Sequence, residues 1–127
     1  SMVGNESITQ KKQYLNLYAT LSQTINILSE IAASLSQDKN RKFFSRQTNL
    51  EIEQIVNHLN DFAQDKYSVC RHILQLINDL PSETEKNILL LKYIHGYTWE
   101  EISEHLNYSL RQIYNIHNHA LEHLTLE

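Results

Sequence analysis

The chain has 127 residues, with two glycines, one proline, one cysteine, and 11 Lys/Arg against 15 Asp/Glu. So few turn formers argue against sheets and loop-rich folds, no apolar run reaches the ~20 residues of a membrane span, and Cys70 has no internal disulfide partner. The formal charge of −4 disfavours a nucleic-acid partner unless local charge overrides the total.

Ser1 precedes Met2 and is set aside as an expression remnant. From about Glu6 to Ser36 the sequence reads as one helix. Tyr14, Leu21, Leu28 and Leu35 fall seven apart, with Leu17/Tyr18, Ile25 and Ile31/Ala32 on the intermediate rungs. That stripe is the seam of a coiled coil or a helical hairpin. About thirty helical residues extend roughly 45 Å, too long for the core of so small a domain. Residues 37–49 break the pattern and carry Lys39, Arg41, Lys42 and Arg46, a charged junction read as solvated rather than functional.

A second heptad run follows through Ile52, Leu59, Ile73 and Leu80, supported by Ile55/Val56, Phe62, Val69/Cys70 and Ile77. Lys66 occupies the missing seam position. It either fixes register or marks a helix break near Asp65–Ser68. Two long helices are expected, antiparallel in one chain or shared with a second chain.

Pro81 ends that run, and helix punctuation becomes dense. Ser82–Glu85, Thr98–Glu101 and Ser109–Gln112 each fit a capping box, and Gly96 offers a left-handed stop. Short helices are therefore expected to start near residues 83, 98 and 109, the last running to about Leu124. Only 106–109 remains for the final turn, which makes the last pair a helix-turn-helix. Ile102 and Leu106 on its first helix, and Ile113, Ile116 and Ala120 or Leu121 on its second, have the spacing to lock the two together. The outward face of the second helix then carries Arg111, Gln112, Tyr114, Asn115, Asn118 and His119. Arg pairs with guanine edges, and Asn or Gln with adenine, so these side chains suit base reading.

Tyr93-Ile94-His95-Gly96-Tyr97-Thr98-Trp99-Glu100-Glu101-Ile102, with Leu106-Asn107-Tyr108-Ser109, Arg111-Gln112-Ile113-Tyr114, Ile116-His117 and Ala120-Leu121, resembles the ArpU family of phage transcriptional regulators. That family controls late or autolysin genes in prophages of Gram-positive bacteria, and its C-terminal part is similar to region 4 of sigma factors. The resemblance implies Ser109 at the recognition-helix cap, Ile113 and Ile116 in the buried layer, and Leu110, Arg111, Gln112, Tyr114 and Asn115 facing the groove. Three departures are visible. Ser103 stands where relatives usually have alanine, and Leu110 and Asn115 stand at positions often basic. Residues 67–127 also hold four Lys/Arg (Arg71, Lys86, Lys92, Arg111) against eight Asp/Glu.

Several simpler readings compete. Glu83, Glu85, Glu100 and Glu101 crowd helix N-termini, where the helix dipole favours them. His117, His119 and His123 lend the last helix positive charge below neutral pH, which predicts tighter DNA binding near pH 6 than near pH 8. His119 and His123 lie four apart, but nothing nearby completes a metal site. Trp99 is expected to pack beside its cap, and Tyr14 and Tyr18 to belong to the arm seam. No nucleophile–base pair, phosphate loop or cofactor motif is evident, so no enzyme activity and no cofactor are expected.

The expected fold is all-α: long N-terminal helices over 6–66, as coiled coil or helical hairpin, then a helix-turn-helix bundle over 67–127. The expected function is a sequence-specific DNA-binding transcription regulator, and the resemblance implies a phage late-gene or autolysin-gene activator in the bacterial cytoplasm. Its partners would be double-stranded promoter or operator DNA, further copies of the chain in a dimer or higher oligomer, and host RNA polymerase. The alternatives are a protein-interaction module that binds polymerase or another regulator without reading DNA, and a small terminase-like packaging protein.

Overall fold

The computed structural model describes residues 7–37 and 46–126. The junction cations Lys39, Arg41 and Lys42 lie outside them. The described chain is all-α, without strands: α1 (Ile8–Ser36), α2 (Arg46–Asn78), α3 (Glu83–Leu89), α4 (Trp99–Leu106) and α5 (Leu110–His123). No described helix is long and apolar enough to cross a membrane.

α2 runs through Lys66 without a break, so the helix interruption considered near Asp65–Ser68 does not occur. Lys66 is half-buried at its seam position. Its long methylene stem can line an apolar seam while the ammonium reaches outward, which spares the helix an interruption. Arg46 is likewise helical, in the first turn of α2 rather than in the junction.

Within the described residues, packing forms two compact units. One joins the chain up to Ala19 with the chain from Val69 onward, and the other is Thr20–Ser68. In the second unit the seam positions Leu21, Ile25, Leu28, Ala32 and Leu35 of α1, and Ile52, Ile55, Leu59 and Phe62 of α2, are half-buried. None of its described residues is buried.

The first unit holds the core. Leu15 from α1 is buried with Ile73, Leu76, Ile77 and Leu80 of α2, Leu89, Tyr93, and Ala120, Leu121 and Leu124 at the end of the chain. Tyr14 and Tyr18 pack against this core rather than serving only an arm seam. Tyr14 also pairs through its hydroxyl with His72 Nδ1. The packing division thus differs from a split after residue 66, because the first turns of α1 complete the core. A buried cation fixes them there. Lys11 donates from Nζ to the Leu121 carbonyl at 2.7 Å, satisfying one of the carbonyls that the end of α5 leaves unpaired.

α3 continues into one turn of π-helix, Leu90–Ile94, closed by His95 N–H to Leu90 O at 2.9 Å. The extra residue per turn shifts the helix face and directs Tyr93 into the core. Gly96, at φ +79°, then reverses the chain; a Cβ there would meet no atom, so backbone conformation alone selects glycine.

Candidate nucleic-acid interface

α4 and α5 are short helices whose ends are fixed by their own sequences. Thr98 accepts from Glu101 N–H while the Glu101 carboxylate accepts from Thr98 N–H. Hydrogen bonding to the carboxylate, first from the Thr98 backbone N–H and then from the Thr98 side chain, holds the Glu101 carboxyl below its ordinary range. Ser109 and Gln112 make the same reciprocal pair at the start of α5, at 3.1 and 2.8 Å. Each box satisfies two amides that a helix start would otherwise leave bare.

Between them Asn107 takes a left-handed conformation, φ 59°, ψ 37°. Asparagine tolerates that region better than most side chains, which allows a turn this tight. Ser103, the departure from alanine, donates from Oγ to the Tyr108 carbonyl and so ties α4 to the turn. Ile102 and Ile113 are fully buried with Ile88, and Leu106, Ile116, Trp99, Tyr97 and Tyr108 pack around them. Ile116 is half-buried rather than buried. Ala120 and Leu121 belong to the other core, against α2 and Leu15.

The polar face of α5 stands as the spacing predicts. Arg111, Gln112, Tyr114, Asn115, Asn118 and His119 are all exposed, and Leu110 is 37% exposed at the helix start. Not all of these side chains are equally free. The Gln112 side-chain oxygen is committed to its cap. Tyr114 meets the Trp99 ring edge-on, with centroids 5.4 Å apart. His119 lies 3.7 Å from Glu122. Asn118 hydrogen-bonds the His117 ring, and Arg111 and Asn115, four apart, are both exposed.

The histidines of α5 do not all stand on its polar face. His117 is not on the polar face: it is buried, and Tyr93 Oη lies 2.7 Å from its Nε2. Trp99 packs edge-on against it at 4.7 Å. Burial first, then the charges of Lys12 and Lys92, push its pKa down to about 4, while burial pushes Tyr93 up to about 12. The phenol therefore donates and the neutral imidazole accepts. A ring in that state carries no charge near pH 6 and cannot attract phosphate there.

His123 is also occupied. Its Nδ1 is 3.0 Å from Oε1 of the buried Glu85, on α3. That contact changes the first predicted capping box. Ser82 still accepts from Glu85 N–H at 3.3 Å, but the Glu85 carboxylate turns to His123 instead of reaching back to the cap. Lys11, Asn107 and Lys92 hold places that residue spacing does not assign. Lys92 Nζ sits 4.4 Å over the Trp99 ring. Only Asn107 had a local signal, the tight interval between two caps.

Residues 71–124 match the family model for sigma-70, region 4. The span covers the end of α2 and all of α3, α4 and α5. This part of the chain carries a sigma-70 region 4-like helix-turn-helix. No curated protein and no solved structure gives a significant match.

Proposed function

We propose that the chain is a sequence-specific DNA-binding transcription regulator whose α5 enters the major groove. One observation carries the reading most: a helix-turn-helix of region 4 likeness presents a solvent-facing row of Leu110, Arg111, Gln112, Tyr114, Asn115, Asn118 and His119. In such docking the first turns of the second helix reach base edges. Arg111 suits guanine O6 and N7, Asn115 suits adenine, and the Leu110 side chain suits a thymine methyl. Gln112, with its oxygen held in the cap, has only its amide N–H groups left for a base acceptor. Tyr114, Asn118 and His119 lie further along the helix, where contacts to the sugar–phosphate backbone predominate.

The ArpU resemblance narrows the role to activation of phage late or autolysin genes in a bacterial host, with host RNA polymerase as the protein partner. The unit Thr20–Ser68 joins copies of the chain, and avidity between linked domains compensates for an acidic total charge. Leu110 and Tyr114, both exposed, also favour a second reading, in which the same face docks on a protein such as polymerase. Selection of bound DNA from a random library by the whole chain separates the two. Enrichment of one motif is expected. Recovery of no motif overturns DNA reading and leaves protein docking.

A further inference from the structure

The start of α1 packs in one unit with the chain from Val69 onward and brings its own charges to it. Lys11 is buried and donates to Leu121 O, and Leu15, one turn on, lies in the same core as Leu121 and Leu124. These two contacts fix the start of α1 beside the last turns of α5. Lys12, the next residue, is exposed, and its side chain makes no hydrogen bond or ion pair with the described residues.

His117 and Leu121 are four apart, so they share one flank of α5, and Tyr114 and Asn118 border that flank toward solvent. The same flank carries Trp99, packed on both Tyr114 and His117, with the Lys92 ammonium over its ring. Both charges that act on His117, those of Lys12 and Lys92, are cationic. Glu85 is held by His123, which falls two residues past Leu121 and hence on the other side of the helix, while Glu122, four past Asn118, is paired with His119.

We infer that Lys12, carried in by α1, and Lys92, over Trp99, form a phosphate-contacting flank beside Tyr114 and Asn118 of the recognition helix. Backbone contact then comes partly from the opposite end of the sequence to base reading. The flank gives an acidic chain the local positive field that DNA requires. This inference rests on the proposed DNA-binding reading.

The test uses the whole chain and its variants Lys12→Ala, Lys12→Arg and Lys12→Glu. Binding to library-selected DNA and to an unrelated duplex is titrated at several salt concentrations. Loss of one phosphate contact in Lys12→Ala should flatten the slope of log affinity against log salt by about 0.9. It should weaken both DNAs by a similar factor, with no change in melting temperature because Lys12 is exposed. Lys12→Arg should retain the slope, and Lys12→Glu should bind least.

Parent-like slope and affinity in Lys12→Ala overturn the inference while leaving α5 as reader. So does a loss confined to the selected DNA, which would make Lys12 a base contact. If the parent chain binds neither DNA, this inference and the proposed function fall together.

Discussion

Every described side chain that is buried lies in the unit built from the start of α1 and the chain from Val69 onward; none lies between residues 20 and 68. Ile102, Ile113 and Leu121 have no exposed surface, whereas Leu21, Leu28 and Leu35 are half-buried and Ile27 and Ile31 are 56% and 42% exposed. Both regions are helical and both carry regular apolar spacing. Helices alternating through a bundle enclose a residue from several sides, while a long helix with a single seam leaves most of its circumference in water. Apolar periodicity therefore marks a face without saying how completely it is covered.

The largest expected effect falls in the enclosed unit. Ile113→Ala should lower stability by about 2–5 kcal/mol, since a methylene and two methyl groups leave a site with no exposed surface. Leu28→Ala, at a half-buried seam position, should cost well under that. Thermal or urea unfolding of the two variants checks the difference. Equal losses would erase the contrast and mean that something covers the seam in solution.

Acid should act on the same unit almost as strongly. Folding holds His117 at a pKa of about 4 against an ordinary 6.5, so the unfolded chain binds the proton first as pH falls. The stability is fully present above pH ~6.5 and declines on the way down to about 4. This one buried ring accounts for a loss on the order of 3 kcal/mol. Melting curves from pH 7.5 to 4.5 test it, with His117→Phe as the comparison. An equally steep acid loss in that variant would assign the effect to other groups.

A third measurement concerns the exposed region. If copies of the chain pair through Thr20–Ser68, replacing Leu21 and Leu28 together with aspartate should convert dimer or higher species to monomer. DNA binding should weaken through lost avidity, while the helix-turn-helix stays folded. Sedimentation of the parent at micromolar concentration decides the matter, since a monomer there would make the seam internal to one chain.

The smallest expected change in stability is at the face of α5 proposed to read DNA. Arg111→Ala and Asn115→Ala should leave the melting temperature unchanged, because both side chains are exposed. Each should cost about 1–3 kcal/mol in binding to selected DNA and relax preference at one base position. Parent-like binding by both variants would remove α5 as the reader.

Local sequence determined a good deal of this molecule. Thr98 with Glu101 and Ser109 with Gln112 are contacts three residues apart, so their capping boxes, the helix starts and the short turn between them were legible from spacing alone. The same holds for the left-handed Gly96 and for the exposed row from Leu110 to His119, because the helical period sets which residues share a face. The regions that periodicity left undecided all depend on partners distant in sequence.

Tertiary structure decided which polar residues were available. Lys11 reaches Leu121 across 110 positions, His117 is taken inside by Tyr93 and Trp99, and Glu85 leaves its cap for His123. Helical spacing alone places His117 near the boundary of the apolar face, and only the arrival of Tyr93 from the π-turn settles that it is buried and neutral. A hydrogen bond three residues long is encoded where it forms. One spanning the chain exists only after the core has closed, when burial has set which charges remain.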